Sequence, residues 1–189
     1  MSDYDICVVG SSWGGLRALD TILRDLPSEL GFPIVVVQHR SADAPDSGLP
    51  AYYTARTELD VRSVEDRDPI EPGRVYIAPP DYHLLIESGY FSLSVDDLVQ
   101  FSRPSIDVLF ESAAESYGAR TIGILLTGAN EDGVAGLARI RDVGGLTIVQ
   151  DPDTAARSTM PAAAVAAGAA VSVLRLEGIA AELVKLGAA

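Results

Sequence analysis

Three short segments of this 189-residue chain contain polar residues whose types and spacing could carry out chemistry. The first segment, Gly10 to Gly14, has the pattern Gly-x-Ser-x-Gly and centres on Ser12. Between a strand and a helix this pattern is typical of a serine nucleophile, because the glycines permit a tight turn that exposes the hydroxyl. Backbone N–H groups at the start of the helix would stabilise a developing oxyanion. The alternatives are a turn that binds a phosphate and a turn that only packs a strand on a helix, and Ser11 is the rival hydroxyl.

The other two segments supply an imidazole and a carboxylate. His39 directly follows a buried strand, where it could act as the general base for Ser12. Asp132 lies in a glycine-flanked loop after another strand, and a carboxylate there could orient the imidazole and stabilise its cation. Each has a structural alternative, which is a hydrogen-bonded histidine for the first and a helix N-cap for the second. His83 is the second choice for the base, and we expect it to be structural. Together the three segments predict a serine hydrolase.

These residues need strands that deliver them to one edge of a sheet. Short β-branched runs alternate with helical patterns, and the runs are apolar on both faces, which predicts a three-layer, doubly wound α/β fold with a mainly parallel sheet. Ligands in such folds bind beyond the carboxyl ends of the strands. The segment 83–95, with a turn at Ser88-Gly89, predicts an antiparallel hairpin near one edge. Strands are predicted at 6–9, 33–37, 75–78, 121–126, 146–149 and 170–173, helices at 16–26 and 134–140, and a capped helix start at Ser105.

Composition restricts the class of protein further. Hydrophobic residues make up 48% and charged residues 22% of the chain, which predicts one globular domain over residues 1–189. The net charge of −13 disfavours binding to nucleic acids or anionic membranes. Cys7 has no second cysteine for a disulfide, and neither histidine has a second His or Cys at metal-ligand spacing, so we expect no metal and no cofactor. The sequence shows no signal-peptide pattern and no apolar run of about 20 residues, which predicts a cytoplasmic protein that is not itself a membrane protein.

The motifs taken together resemble the catalytic domain of CheB-type protein-glutamate methylesterases over nearly the whole chain. The resemblance implies a three-layer α/β fold with a hairpin at one side. It also implies hydrolysis of glutamate γ-methyl esters on chemoreceptor signalling helices, often with deamidation of glutamine at the same sites. By motif position, Ser12 resembles the nucleophile of that family, His39 its base and Asp132 its orienting acid. The resemblance rests on Gly10–Gly15, Gln38-His39, Ile77–Pro79, Arg103–Phe110, Leu126–Gly128 with Asp132-Gly133, and Met160-Pro161.

This chain departs from the family pattern beside the proposed nucleophile and in the loop of the acid. Trp13 stands where the family usually has threonine, and Ala129 stands where the family usually has methionine. Because an oxyanion hole uses backbone N–H groups, neither change removes a donor, and we expect Trp13 and Ala129 to line the oxyanion or substrate pocket. The family also commonly carries a receiver domain ahead of the catalytic part. The first strand begins too early here to leave room for one, so the chain either stands alone or has been trimmed.

Other functions remain as alternatives. Trp13 and Ala129 motivate a diverged hydrolase that uses the same triad on another ester or amide outside chemotaxis. A non-catalytic module that keeps the fold and binds a partner is a second alternative. A nucleotide-binding domain rests on the glycine turn alone, and the turn lacks the dinucleotide-binding pattern.

Overall fold

A parallel sheet of seven strands forms the centre of the molecule. The computed structural model describes residues 3–41, 43 and 46–187, so the ends of the predicted 1–189 domain lie outside the described residues. The strands of this sheet and of a separate two-stranded hairpin are β1 (Ile6–Ser11), β2 (Ile34–Gln38), β3 (Asp60–Ser63), β4 (Arg74–Ile77), β5 (His83–Ile86), β6 (Phe91–Ser94), β7 (Thr121–Leu125), β8 (Leu146–Gln150) and β9 (Ser172–Leu174). The large sheet has the order β3-β4-β2-β1-β7-β8-β9, and every neighbouring pair in it is parallel.

Helices cover both faces of this sheet. They are α1 (Gly15–Arg24), α2 (Gly48–Thr54), α3 (Ile106–Tyr117), α4 (Val134–Asp142), α5 (Thr159–Ala166) and α6 (Leu176–Gly187). One apolar core joins α1, α2 and α6 to one face, and a second joins α3, α4, α5 and the hairpin to the other. Because side chains alternate across a strand, Cys7 and Val9 of β1 enter the first core while Ile6 and Val8 enter the second. The predicted three-layer α/β fold is confirmed.

The predicted hairpin is present and forms a two-stranded antiparallel sheet of its own from β5 and β6. It is attached to α3 through Ile86. The backbone N–H of Ile86 donates to the Ser112 hydroxyl at 3.0 Å, and the Ser116 hydroxyl donates to the Ile86 carbonyl at 2.8 Å. The hairpin therefore packs over the helix layer that also holds the start of α3.

Sequence reasoning missed β3, α2, α5 and α6. The β3 segment Asp60–Ser63 lies at an edge of the sheet and contains one apolar residue, Val61, which leaves no apolar run to find. The α2 segment is only 7 residues long and buries Pro50 and Tyr53. No helix among the residues that the structure describes has both the length and the apolarity that a membrane span requires.

The topology places one crevice at the middle of the sheet. The chain builds outward from β1 through β2 and β4 on one side, and then continues through β7 and β8 on the other. Loops that leave the carboxyl ends of β1 and β7 therefore diverge, and ligands of doubly wound folds bind at such a switch point.

Candidate active site

Ser12 lies in the turn that joins β1 to α1. Its backbone N–H donates to the Thr127 carbonyl at 2.9 Å, which continues the pairing of β1 with β7 beyond the end of both strands. Gly14 is the N-cap of α1 and has φ +82, a conformation that side chains disfavour. A Cβ at Gly14 would lie 2.6 Å from the Cβ of Ala156. The turn is therefore possible only with glycine at this position, and it holds Ser12 at the crevice.

His39 reaches the same crevice from the end of β2. Its backbone N–H donates to the Ser11 carbonyl at 2.9 Å, so the β1–β2 pairing places the two loops side by side. Nδ1 of His39 lies 3.2 Å from Oγ of Ser12, and Nε2 lies 2.7 Å from Oδ2 of Asp132. The structure thus brings together Ser12, His39 and Asp132 in one line of hydrogen bonds.

The direction of these hydrogen bonds follows from the carboxylate. An ionised carboxylate only accepts hydrogen bonds, so Nε2 of His39 carries the proton that is donated to Asp132. Nδ1 then has a lone pair directed at Ser12, and the serine hydroxyl is its donor. The His39 side chain is 13% exposed and that of Asp132 is fully buried, so solvent has some access to the imidazole and none to the carboxylate.

Asp132 is held by more than the imidazole. It accepts hydrogen bonds from the Ser105 hydroxyl at 2.8 Å and from the backbone N–H groups of Ile106 at 2.7 Å and Asp107 at 3.0 Å. These groups form the first turn of α3, whose positive end stabilises a negative charge. The N-cap of α4 is Gly133. Asp132 thus contacts His39 and also caps α3, whereas the helix that follows Asp132 in sequence is α4. The two roles of Asp132 therefore do not compete.

The surroundings also set the charge of Asp132. Burial would raise its pKa, but the hydrogen bonds from His39, from the backbone of Asp107 and Ile106, and from Ser105 outweigh burial and hold the pKa below its ordinary value. Asp132 is therefore ionised and able to stabilise an imidazolium at His39.

Asp107 is a second buried carboxylate that sequence reasoning did not single out. Its Oδ1 accepts hydrogen bonds from the backbone N–H groups of Gly133 at 3.0 Å and Gly136 at 2.7 Å, at the start of α4. Burial first, and then the neighbouring charge of Asp132, raise the pKa of Asp107. Asp132, in the loop before α4, therefore caps α3, and Asp107, in the first turn of α3, caps α4. This exchange joins the two helix starts and fixes the position of Asp132; the only sequence signal was the place of Asp107 in the Arg103–Phe110 motif.

Trp13 and Ala129 lie at the surface near the Ser12 turn. Trp13 is 63% exposed, and its carbonyl accepts a hydrogen bond from the Thr127 hydroxyl at 2.8 Å. The guanidinium carbon of Arg157 lies 5.7 Å from the centre of the Trp13 ring. Within the described parts of the chain, the backbone N–H groups of Trp13 and Ala129 have no hydrogen-bond acceptor. Unpaired N–H groups are what stabilisation of an oxyanion requires.

The rival residues have other environments. Ser11 is fully buried, and its hydroxyl has no hydrogen-bond partner, so it does not face the crevice. His83 is 2% exposed, with Nδ1 accepting from the Ser105 backbone N–H at 3.2 Å and Nε2 donating to the Asp97 carbonyl at 3.0 Å. Both nitrogens of His83 are therefore engaged by backbone groups. Among the described residues, no group of three potential ligands is arranged to hold a metal ion.

Arginines near the crevice are engaged in structural contacts. Arg40 donates to the Ala78 carbonyl at 3.0 Å and lies 3.7 Å from the Asp46 carboxylate. Arg103 forms an ion pair with Asp81 at 2.6 Å.

Comparison with known proteins gives a consistent set of matches. A family model described as CheB methylesterase matches residues 7–183. A protein from Leptospira interrogans, provisionally named a protein-glutamate methylesterase/protein-glutamine glutaminase, is 46% identical over 97% of this chain and 95% of its own length. The protein-glutamate methylesterase FrzG of Myxococcus xanthus is 40% identical over 96% of this chain and 54% of its own length. This chain thus spans nearly all of the first relative and about half of the second.

A solved structure agrees with these relatives. The crystal structure of the Thermotoga maritima CheB methylesterase catalytic domain superposes with a TM-score of 0.93 at 37% identity, covering 97% of this chain and 98% of that chain.

Proposed function

This chain belongs to the CheB methylesterase family, and on that premise we propose that it hydrolyses γ-methyl esters of glutamate side chains in a protein. In this proposal Ser12 is the nucleophile, His39 the general base and Asp132 the acid that orients it. The substrate we propose is the methylated signalling helices of chemoreceptors, in the cytoplasm, with deamidation of glutamine at the same sites as a second activity. The whole of residues 1–189 forms one catalytic domain in this proposal.

The single observation that carries the proposal is the hydrogen-bonded line from Oγ of Ser12 through the His39 ring to Oδ2 of Asp132. Three stretches of chain that are distant in sequence meet to form it. Because Asp132 is also held by three donors from α3, the imidazole is presented to the serine in one tautomer and one orientation. A module that only bound a partner would not need this arrangement.

The first half of the reaction forms an acyl-enzyme. Nδ1 of His39 takes the hydroxyl proton as Oγ of Ser12 attacks the ester carbonyl carbon, and the carbonyl π electrons move onto oxygen. The unpaired N–H groups of Trp13 and Ala129 stabilise this oxyanion, while Asp132 stabilises the imidazolium. The intermediate collapses with cleavage of the carbon–methoxy bond. His39 returns its proton to the departing oxygen, and methanol leaves.

The second half releases the product. His39 takes a proton from water as the water oxygen attacks the acyl carbon, and collapse of the second intermediate returns the proton to Oγ of Ser12. The products are a glutamate side chain and free enzyme. With glutamine as substrate the same steps expel ammonia in place of methanol.

Methanol release from a chemoreceptor signalling fragment that carries methylated glutamates tests the proposal. We expect the wild-type protein to release methanol and the Ser12→Ala variant to lose about 10⁴-fold to 10⁶-fold in kcat, because the covalent step has no other nucleophile. A fluorophosphonate probe should label the wild type and leave Ser12→Ala unlabelled. Folded Ser12→Ala protein that demethylates the fragment at the wild-type rate would exclude this mechanism.

The alternative of a diverged hydrolase predicts another pattern. Such an enzyme would be labelled at Ser12 and would hydrolyse small esters, but it would release no methanol from the methylated fragment. The names of the relatives favour the methylesterase.

A further inference from the structure

The segment 95–101 has exposed apolar side chains and lies beside the proposed active site. Phe101 is 97% exposed, and the nearby Val95 and Leu98 are 67% and 57% exposed. Single apolar residues at a surface are ordinary, but neighbouring ones next to a functional cleft are typical of an interaction site. Three exposed apolar side chains within seven residues are therefore typical of a surface that binds another molecule.

The backbone at Phe101 adopts a conformation that its residue type disfavours. Val99 and Ser102 exchange backbone hydrogen bonds of 3.2 and 2.9 Å, which makes Gln100 and Phe101 the central pair of a two-residue turn. Their φ angles are +47 and +63, in the left-handed region. Turns of this kind are normally built from asparagine and glycine, since most other side chains are strained there. A turn that only reversed the chain would not need phenylalanine at its tip.

The turn is tied to the groups that position Asp132. The side-chain amide of Gln100 donates to Oδ2 of Asp107 at 2.8 Å. The other oxygen of Asp107 accepts from Gly133, the residue after Asp132. One buried carboxylate thus anchors both the turn that displays Phe101 and the loop that carries the acid of the triad.

The start of the segment, at Val95 and Asp96, is held in place by Arg103. Arg103 donates to the carbonyls of Val95 and Asp96 at 2.9 and 3.0 Å, and its ion pair with Asp81 holds the guanidinium in place. Phe101 therefore projects from a segment that is fixed at both ends.

A cleft of about 240 Å³ is lined by residues of both this segment and the proposed triad. Its lining includes His39 together with Leu98 and Phe101. Because His39 also contacts Ser12, a molecule that fills the cleft lies next to the ester under attack. The part of a protein substrate beyond the reacting side chain would therefore come within reach of this cleft.

We propose that Phe101 is a specificity-determining residue that binds an apolar side chain of the protein substrate beside the methylated glutamate. This inference rests on the function proposed above. We expect a small ester to react at Ser12 and His39 without reaching Phe101, whereas a protein segment extends across the cleft. Aromatic side chains at the centre of an interface often carry much of the binding free energy.

Two substrates separate this role from catalysis. With the methylated chemoreceptor fragment, we expect Phe101→Ser to lower kcat/KM by ~10-fold to ~100-fold, mainly through KM, because a contact made equally in the ground and transition states is lost. With p-nitrophenyl acetate we expect a rate within about 2-fold of wild type. Phe101→Leu should retain most of the activity on the protein. Since Phe101 is 97% exposed, neither substitution removes core packing.

Val171→Ser is the matched control, because Val171 is 59% exposed and lies just before the edge strand β9. We expect it to change neither activity. A Phe101→Ser protein that demethylates the fragment with the wild-type KM would overturn the inference while leaving the proposed function intact, as would equal losses on both substrates. Absence of methanol release by the wild type would overturn the proposed function, and this inference with it.

Discussion

The surroundings of the two histidines differ in one respect that decides what each can do. His39 lies between a hydroxyl and a carboxylate, with its Nδ1 lone pair directed at Ser12 and its Nε2 proton at Asp132. His83 lies between a backbone N–H and a backbone carbonyl. Side-chain partners exchange protons or attack a substrate, whereas amide groups do neither at ordinary pH. The partners of an imidazole therefore distinguish a candidate general base from a structural histidine.

The two surroundings are also joined through Ser105. Its backbone N–H donates to Nδ1 of His83, and its hydroxyl donates to Oδ1 of Asp132. His83 therefore holds the residue that caps α3 and thereby supports Asp132. The substitutions below test whether one histidine serves proton transfer and the other serves packing.

Replacing His39 should have the largest effect. We expect His39→Gln to lower kcat for methanol release by about 10⁴-fold to 10⁶-fold, because the amide has no basic lone pair for the Ser12 proton. His39 is partly exposed, so thermal unfolding followed by circular dichroism should be close to that of wild type. A variant that keeps substantial activity would remove the distinction between the two histidines.

Replacing the acid should cost somewhat less activity. We expect Asp132→Asn to lower kcat by about 10⁴-fold, because an amide donor facing Nε2 favours the wrong tautomer of His39. The variant should also be less stable to urea, since the amide group of asparagine cannot accept all four of the hydrogen bonds made to the carboxylate. Unchanged activity would mean that His39 needs no orienting acid.

The pH dependence of stability checks the charge of Asp132. Its pKa in the folded protein lies below the ordinary 3.8, so ionised Asp132 stabilises the fold above that pH, and this contribution is lost as the pH falls through the lowered pKa. Asp107, whose pKa is raised, takes up its proton first. The difference in free energy of unfolding between wild type and Asp132→Asn should therefore shrink below pH 3.8. A constant difference in urea titrations at acid pH would contradict an ionised Asp132.

Replacing His83 should affect stability more than activity. We expect His83→Gln to lower the free energy of unfolding by about 1–3 kcal/mol, because glutamine cannot satisfy both backbone partners in the same buried space. Methanol release per folded molecule should stay near wild type at low temperature. Loss of activity as large as that of His39→Gln, in folded protein, would assign His83 a part in proton transfer.

The smallest effect should come from Ser11, the hydroxyl beside the proposed nucleophile. Ser11→Ala removes a buried hydroxyl that has no partner, so we expect a change in the free energy of unfolding within about 1 kcal/mol, on the stabilising side. Activity should be unchanged. A large loss of activity would show that Ser11 acts in the reaction.

Much of the fold could be predicted because the signals are local. β1 is buried along its whole length and read as an uninterrupted apolar run, whereas β3 was missed because an edge strand is buried on one side only. The glycine turn around Ser12 and the cap at Ser105 were also visible, since both depend on neighbours in sequence. The site was harder to predict where contacts join distant segments.

Asp132 illustrates that limit. From the sequence it was either a triad acid or the cap of the helix that follows it, and the choice depends on contacts with Ser105 and Ile106, residues 27 and 26 positions away. The register of parallel strands and the packing of α3 against α4 set those contacts. Neither leaves a pattern in the residues around Asp132.

Short-range patterns of apolar residues and glycine predict burial and turns, so they were enough to predict the layers of the fold and the strand ends from which Ser12 and His39 project. Only the tertiary structure decided which carboxylate meets the imidazole, how Asp107 and Asp132 cap each other's helices, and that Phe101 faces the same cleft as His39. The physical reason is that hydrogen bonds between distant segments form only after the hydrophobic layers have brought those segments together.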